Sequence, residues 1–400
     1  MTSVRLFSIF FALALAAIVH AQASTTFLRV GTDYALPFRN PVSAVDNLGT
    51  AVHTDFTMSG ARYGQMLDSS NYWSIYRDGG GTCSLHNRTF WVYCDTSAYQ
   101  KGSTTVSRFA SNSAALVVNY NQPTVLKDFT ATESSVSEFV PFLPSELADN
   151  NANYNQRWAL WAYSNCIPIS DTVAAQYWQV MKFSSSTSRS LVGNTLAMYS
   201  YGTYSNSIIV SRDTHLFFDM NTYLYGTFSS LVVNGYIYLY ALDYTYSDRM
   251  DIHVARVSVN GFRYKSNYQY YDAGAKTWST TPPVVTARRR SAAVIPGTIG
   301  FYSGAMFYSE YHNAYLLVFM SNWADNKIRV LYSASPLGPW LGNNKIIYST
   351  VQGPGGINYG GIVSPFYFNT AYPQGKNLML MYSYRDTRFV YPFACIIRFA

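Results

Sequence analysis

The segment Tyr236-Ile-Tyr-Leu-Tyr-Ala-Leu-Asp243 decides the fold class, because tyrosines alternate along it with aliphatic residues at the period of two that is typical of a β-strand. After a polar turn, the second apolar segment Asp251–Val257 completes a predicted hairpin. Lys327–Ser333 has the same position in a later unit. The aromatic strand itself recurs in four other segments, which are Arg88–Asp95, Arg157–Tyr163, Tyr315–Met320 and Asn377–Ser383.

These five segments are spaced almost evenly along the chain. Their first residues lie 69, 79, 79 and 62 positions apart, so a unit of about 70 residues recurs roughly five times. Radially repeated four-stranded sheets let a long antiparallel protein avoid open edges. The pattern therefore predicts an all-β fold, a five-bladed β-propeller, as a single domain over residues 22–400. A pair of β-sandwiches is the alternative, although it would not need five similar units.

The composition supports strands over helices and excludes disorder. Charged residues make up 12% of the 400 residues and hydrophobic residues 48%, whereas a typical soluble protein has about 25% charged residues. The chain has 36 tyrosines and only four glutamates, and long amphipathic helices need glutamate, lysine and alanine. Residues 133–156 hold three of the glutamates and are the least strand-like segment, which predicts a long loop or a short helix.

The first residues have the features of a secretory signal peptide. Arg5 precedes an apolar run over residues 6–19, and Val19-His20-Ala21 fits a cleavage site with small residues. The run is shorter than the roughly 20 residues that span a bilayer, and no later segment is apolar enough to do so. We therefore expect residues 1–21 to be removed and the protein to be secreted, with no membrane segment.

The export signal places the four cysteines, at positions 83, 94, 166 and 395, in an oxidising compartment. Four cysteines there permit two disulfides in any of three connectivities, which the sequence leaves open. The chain has no Cys-x-x-Cys pair and its six histidines are scattered, so no metal or other cofactor is predicted. The one sequon, Asn87-Arg88-Thr89, would place a glycan on an exposed turn.

The segment from Tyr76 to Thr96 carries the strongest signal for chemistry. If it folds as a hairpin with its turn at His86-Asn87, counting outward pairs Asp78 with Asp95 on one face. Directly opposed residues have Cβ atoms about 4.5 to 5.5 Å apart. Two such carboxylates resist simultaneous ionisation, so one pKa should rise, as in an acid paired with a nucleophile or base. The alternative is that both aspartates only begin turns at strand ends.

Other residues are weaker candidates. Asp243 ends the third aromatic strand, and Glu310 lies with His312 in a predicted loop or strand end, where Glu310 would serve as a general acid or bind substrate. Arg288-Arg289-Arg290 is the only dense cationic run and is interpreted as a solvated loop between blades. For each of these residues a purely structural role is the competing interpretation.

Charge and motifs limit the partner classes. Removal of residues 1–21 lowers the formal net charge from +7 to +6 by taking away Arg5, and this mild basic balance favours acidic wall polymers. No motif for nucleic-acid binding is present, nor a Gly-x-Ser-x-Gly elbow or a phosphate-binding loop. We expect a monomer that binds a polysaccharide or oligosaccharide, with no nucleic-acid partner.

Arg77-Asp78-Gly79-Gly80, a strand, and Cys94-Asp95-Thr96 together resemble the signature of a secreted five-bladed propeller family, long classed as a domain of unknown function, that includes microbial endo-D-arabinanases. Other similar segments cover about residues 70 to 390 in order: Arg157–Trp161, Val254–Val257, Tyr270–Asp272 with Trp278, Ser335–Trp340 and Tyr359–Pro365. The resemblance implies that Asp78 and Asp95 correspond to the family's catalytic aspartates and adds Arg77 as a substrate-binding candidate. Cys94 stands where the family usually has glycine, so it is expected to narrow the pocket or to form a disulfide beside Asp95.

Two hypotheses about function follow. The first is a secreted, arabinanase-like glycoside hydrolase that cleaves a furanoside-containing wall polysaccharide through Asp78 and Asp95. The second is a carbohydrate-binding or surface-interaction propeller without catalysis, in which the aspartates only hydrogen-bond to sugar. A secreted protein with no ligand is the baseline against which both are set.

Overall fold

The computed structural model describes residues 52–55, 67–68, 73–100, 106–118, 120, 125–128, 136–205, 207–244, 250–285, 289–297, 301–321, 325–350, 357–367, 374–385 and 390–399. The predicted signal peptide and Arg288 lie outside the described residues. Within them, no helix is long and apolar enough to span a membrane.

The described strands between residues 67 and 128 form two sheets that share one long hairpin. The first sheet has the strand order β2-β9-β8-β5-β4, and a small sheet has the order β3-β6-β7. A two-residue pairing of β2 with β9 is the parallel one, and the other pairings are antiparallel. The strands are β2 (Leu67–Asp68), β3 (Trp73–Arg77), β4 (Gly81–Leu85), β5 (Arg88–Tyr93), β6 (Thr96–Gln100), β7 (Val106–Ala110), β8 (Ser113–Val117) and β9 (Val125–Asp128).

The second and third sheets follow in chain order and are antiparallel. In the second sheet the order is β10-β12-β13-β14, with β11 also paired to β12 and β15 to β13; in the third it is β16-β17-β18-β19-β20. The strands are β10 (Trp158–Trp161), β11 (Ile167–Ser170), β12 (Val173–Phe183), β13 (Arg189–Gly202), β14 (Ser207–Arg212), β15 (Phe218–Asp219), β16 (Ser229–Val233), β17 (Tyr236–Leu242), β18 (Ile252–Ser258), β19 (Gln269–Asp272) and β20 (Thr277–Ser279).

The fourth and fifth sheets complete the fold. Their orders are β21-β22-β23-β24 and β25-β26-β27-β1, so the early strand β1 closes the sheet that the end of the chain builds. The strands are β1 (Val52–Asp55), β21 (Ser303–Ser309), β22 (Ala314–Met320), β23 (Lys327–Ser333), β24 (Leu341–Ser349), β25 (Asn358–Ser364), β26 (Asn377–Arg385) and β27 (Val390–Arg398).

One strand from each of the five numbered sheets takes part in a closed ring. Strand β4 lies against β11 and β25, β16 lies against β11 and β21, and β21 lies against β25. Sheets arranged radially around such a ring are a β-propeller, so the predicted all-β propeller is confirmed.

Apolar clusters fill the spaces between neighbouring sheets. The clusters take buried side chains from two or three sheets, and a fully buried side chain contributes about 1.5 to 3 kcal/mol. This packing stabilises the radial arrangement of the sheets. Representative pairs are Phe90 with Trp178 between the first and second sheets, Tyr177 with Ile237 between the second and third, Tyr240 with Phe319 between the third and fourth, and Val318 with Leu380 between the fourth and fifth.

Each of the five segments of the predicted repeat contains a strand, but these strands do not all have the same place in their sheets. Arg88–Asp95, Tyr236–Asp243, Tyr315–Met320 and Asn377–Ser383 contain second strands of their sheets, but Arg157–Tyr163 contains β10. Strand β10 pairs with the end of β12, and β11 pairs with its start, so β10 and β11 together line one side of β12. The aromatic pattern of β10 is that of a buried strand, and periodicity alone does not give its place in the sheet.

The segment without strand character contains helical structure. Helix α1 (Pro144–Ala152) is followed by a short 3-10 helix (Tyr154–Gln156). Pro144 at the first helical position and Glu146, whose carboxylate accepts from the amide of Leu143 at 3.0 Å, define the start of α1. The prediction of a loop or short helix is confirmed for the described part of residues 133–156.

A single disulfide joins the first and second sheets. Cys83 in β4 is bonded to Cys166 next to β11, while Cys94 and Cys395 are buried thiols, so one of the two disulfides that four cysteines permit is formed. A bond that closes a loop over 83 positions restricts the unfolded chain. We predict that Cys83→Ala with Cys166→Ala lowers the free energy of unfolding by about 2 to 4 kcal/mol in denaturant titrations. A reducing agent should destabilise the wild type and leave the double variant unchanged; equal stability of both proteins would contradict this role.

Candidate active site

The hairpin that carries the two aspartates has the predicted register. Its turn, His86-Asn87, has φ angles of 49° and 58°, as a type I′ turn requires, and Asn87 is exposed. The antiparallel pairing of β4 with β5 resumes in the same register where β3 pairs with β6. Between these ladders the amide of Asp78 donates to the carbonyl oxygen of Asp95 at 2.9 Å, and the amide of Cys94 donates to the carbonyl oxygen of Asp78 at 2.7 Å. Asp78 and Asp95 are therefore direct neighbours across the hairpin.

The glycines after Asp78 let the hairpin pass from one sheet to the other without a change of register. Gly79 and Gly80 have φ angles of 54° and 131°, and a Cβ on Gly80 would stand 2.1 Å from the carbonyl oxygen of Val92. A Cβ on Gly79 would stand 2.9 Å from the sulfur of Cys94. The thiol of Cys94 thus occupies space that Gly79 leaves open and donates to the carbonyl oxygen of Ala162 at 3.3 Å. It neither forms the expected disulfide nor lines the cavity beside the aspartates.

Both carboxyl groups open into a cavity of about 230 Å³ at one end of the strand ring. Several residues that line it lie at the start of a ring strand or just before it. Tyr302 directly precedes β21, and Tyr359 is the second residue of β25. Every numbered sheet or its adjoining loop therefore contributes to this one site. The lining residues are Asp78, Asp95, Trp161, Tyr163, Gln179, Arg189, Leu242, Tyr244, Met250, Tyr302 and Tyr359.

A smaller compartment adjoins the cavity. Leu242 and Tyr244 line both spaces, and the second one, of about 120 Å³, continues along Tyr223 and Val285. The side chain of Gln179 donates to the Tyr244 hydroxyl at 2.9 Å and fixes this shared wall. The two compartments are therefore neighbours that share one wall.

Burial raises the pKa of both carboxyl groups. The pKa of Asp95 is raised to about 7, first because the group is removed from water and then because the charge of Asp78 lies beside it. Burial likewise raises the pKa of Asp78, although hydrogen bonds from Tyr359 and from Ser383, whose Oγ lies 3.4 Å from Oδ1, oppose the shift. Trp161 donates from Nε1 to Oδ1 of Asp95 at 2.8 Å. The pair therefore retains a proton up to near-neutral pH.

This proton predicts a pH-dependent stability difference for Asp95→Asn. The pKa of Asp95 is about 7 in the folded protein and near 3.9 in the unfolded chain, so the folded state binds the proton more tightly. This binding stabilises the wild type fully below about pH 4, and the stabilisation is lost as the pH rises through about 7. The asparagine cannot bind the proton, so the variant loses no such contribution. Its free energy of unfolding should rise relative to wild type between about pH 4 and pH 7, by at most roughly 4 kcal/mol. The exposed Asp213→Asn is the matched control, and a difference that does not change with pH would contradict the raised pKa.

Tyrosines give the cavity neutral hydroxyl donors. Burial raises the pKa of Tyr163, Tyr302 and Tyr359 above the ordinary value and that of Tyr244 to about 12. All four hydroxyls therefore keep their protons at neutral pH. Those of Tyr163 and Tyr359 are hydrogen-bonded to Cys94 and Asp78, whereas that of Tyr244 accepts from Gln179 and can donate to a sugar hydroxyl. Their rings, with Trp161, offer flat apolar faces.

Arg77 does not line this cavity, contrary to the expectation that it binds substrate. Its guanidinium is buried and forms an ion pair with Asp128. Its Nε donates to Ser113 at 3.3 Å, and the group lies 4.8 Å from the ring centre of Tyr93. Side chains alternate between faces along a strand, so Arg77 points to the face opposite its neighbour Asp78 and holds the first sheet to the small sheet.

Asp243 is also absent from the cavity lining. It is buried after β17, and its Oδ2 lies 4.0 Å from Nε2 of His253. Burial lowers the pKa of His253 to about 4, so the histidine is neutral and this contact is not an ion pair at neutral pH. Within the described residues, no group of three or more His, Cys, Asp or Glu side chains is arranged to hold a metal ion.

Glu310 lies at a different cavity. It follows β21 and lines a space with Gln374 and Phe366. His312 is buried next to it, with Nδ1 2.8 Å from the hydroxyl of Ser309, and burial lowers its pKa to about 4. Neither residue lines the cavity of Asp78 and Asp95, so Glu310 is not placed to act as a general acid or to bind substrate beside them.

Sequence reasoning missed most of the cavity wall. Trp161 and Tyr359 lie in segments that carried the family resemblance, but nothing marked their side chains as site residues. Tyr163, Tyr302 and Tyr244 are three among 36 tyrosines. Arg189 follows a serine-rich turn and has no local motif at all.

The chain belongs to the family described as a domain of unknown function, DUF5005, whose model matches residues 61–394. No curated protein sequence matches it. Among solved structures it resembles a candidate hydrolase from Bacteroides ovatus, with a TM-score of 0.63 and 17% identity over 92% of this chain and 97% of the other. Two weaker similarities are too low to support an inference. One is to a family 117 glycoside hydrolase from Zobellia galactanivorans, with a TM-score of 0.46 and 10% identity over 88% of this chain and 91% of the other. The second is to an endo-arabinase from Bacteroides thetaiotaomicron, with a TM-score of 0.41 and 10% identity over 82% of this chain and 95% of the other.

Proposed function

We propose that this protein is a secreted glycoside hydrolase in which Asp78 and Asp95 form the catalytic carboxyl pair. The observation that carries the proposal is the pair itself: the two residues are backbone neighbours across one hairpin, both line the same cavity, and both have raised pKa values. Glycosidases of most families work with two such carboxyl groups.

The pair can supply both parts of the reaction. The carboxyl group that retains its proton donates it to the glycosidic oxygen as the bond to the leaving sugar breaks. The ionised partner either attacks the anomeric carbon or removes a proton from the water that does so. Either aspartate can take either part, because each group's charge raises the proton affinity of the other.

The cavity wall supports a carbohydrate as the substrate. Aromatic rings of Trp161 and the tyrosines can stack on sugar faces, and the protonated hydroxyls can bind sugar oxygens. The adjoining compartment provides room for a further sugar unit. We propose an arabinofuranoside-containing or related wall polysaccharide, hydrolysed outside the cell by a monomer.

The test is a screen of the purified protein without residues 1–21. It is incubated with arabinan, arabinogalactan and a panel of other wall polysaccharides, and newly formed reducing ends are measured. Release from at least one polymer supports the proposal. If the protein binds a polymer and releases nothing from any of them, the cavity is a carbohydrate-binding site without catalysis.

A further inference from the structure

The one cation that lines the aspartate cavity, in the part of the chain that the structure describes, is Arg189. The Arg189 side chain is exposed, and it makes no hydrogen bond or ion pair with the described residues. Its guanidinium instead lies over the ring of Trp161, 5.2 Å from the ring centre. All of its hydrogen-bond donors are therefore available to a ligand.

The backbone holds Arg189 in place. It is the first residue of β13 and pairs with Phe183 at the end of β12. The turn between them is closed by the amide of Ser184, which donates to the carbonyl oxygen of Ser188 at 3.0 Å. Stacking on an aromatic face restricts the planar guanidinium further. A side chain that is already restricted loses less conformational entropy when it binds a ligand.

Trp161 fixes the distance between this cation and the reacting groups. One edge of its ring donates to Asp95, and its face carries Arg189. The guanidinium therefore stands one indole ring away from the carboxyl pair. A substrate group bound there would be on the sugar that is cleaved or on its neighbour.

We propose that Arg189 binds an anionic group of the substrate, so that the preferred polymer carries acidic sugars next to the bond that is cleaved. This inference rests on the proposed function and names the substrate class of the same site. An arginine fork matches the two oxygens of a carboxylate or of a sulfate ester, and hydrogen bonds to charged groups are about twice as strong as neutral ones. The net positive charge of the chain also favours acidic polymers.

The experiment compares acidic polymers with chemically matched neutral ones. Binding to the full mature chain carrying Asp95→Asn is measured for polygalacturonan and glucuronoxylan, each with its carboxyl-reduced form, and for a sulfated galactan with its desulfated form. We expect at least one acidic polymer to bind about ten- to a hundredfold more tightly than its neutral partner. The carboxylate and sulfate pairs distinguish the two sources of charge.

Variants at Arg189 assign the preference to this side chain. Adding Arg189→Gln should remove the difference between acidic and neutral polymers and most of the salt dependence, while Arg189→Lys should retain part of both. Arg263→Gln makes the same change of charge at an exposed ion pair with Asp213, outside the cavity lining, and should leave the preference intact. Equal binding of acidic and neutral polymers, no binding of any acidic polymer, or a preference that survives Arg189→Gln would each overturn the inference. Hydrolysis of a neutral polymer by wild type in the earlier screen would still support the proposed function.

Discussion

Asp78→Asn and Asp95→Asn each lower kcat for polysaccharide hydrolysis by about 10²- to 10⁴-fold, the range over which positioned acid and base groups act. Each amide keeps the size of the carboxyl group but can neither ionise nor supply a proton to the glycosidic oxygen. Because the two groups work on one bond, the double variant should be little slower than the slower single variant. The measurement is the initial rate of reducing-end release with the polymer that the screen identifies.

Two controls separate lost chemistry from lost structure. Asp213→Asn changes an exposed aspartate outside the cavity lining and should keep the wild-type rate. The cooperative unfolding transition of both cavity variants should also be preserved. Wild-type rates in either cavity variant would show that the pair is not catalytic.

Arg77→Met destabilises the fold by about 3 to 5 kcal/mol, because it leaves a buried carboxylate without its ion-pair partner. The Arg77 and Asp128 side chains are 2% and 0% exposed, so water cannot replace the guanidinium without opening the packing. The contact with Tyr93 and the hydrogen bond to Ser113 are lost as well. Denaturant unfolding at neutral pH measures the loss.

The matched control for this prediction is Arg263→Met. Arg263 pairs with Asp213 at 2.6 Å, but the two side chains are 56% and 61% exposed, and exposed ion pairs contribute about 0 to 1 kcal/mol. A similar small loss in both variants would mean that the buried pair of Arg77 contributes no more than a surface contact.

The hairpin of the two aspartates is the part of the site that the sequence predicts best. Its register depends on local chemistry alone, since two residues that tolerate positive φ fix a two-residue turn and pairing then proceeds outward. The opposition of Asp78 and Asp95 follows from counting. The repeat of aromatic strands predicts the propeller for a similar reason, because each sheet needs an apolar second strand.

The rest of the site is set by contacts between distant parts of the chain. Arg189, Tyr302 and Tyr359 meet the aspartates only because the ring closes, and no local pattern encodes which strand start faces the cavity. Arg77 shows the opposite error: its place in the motif suggested a binding role, but the alternation of side chains along β3 turns it toward Asp128. The place of β10 was missed because the strand pattern is the same for every position within a sheet.

The measurement that tests the central claim most directly is the pH dependence of kcat/KM for reducing-end release by the wild type, from about pH 4 to about pH 10. The account predicts that kcat/KM falls as pH rises above about 7, because the carboxyl pair then loses the proton that the leaving sugar requires. A value of kcat/KM that stays constant to about pH 9 would contradict a protonated aspartate pair as the acid.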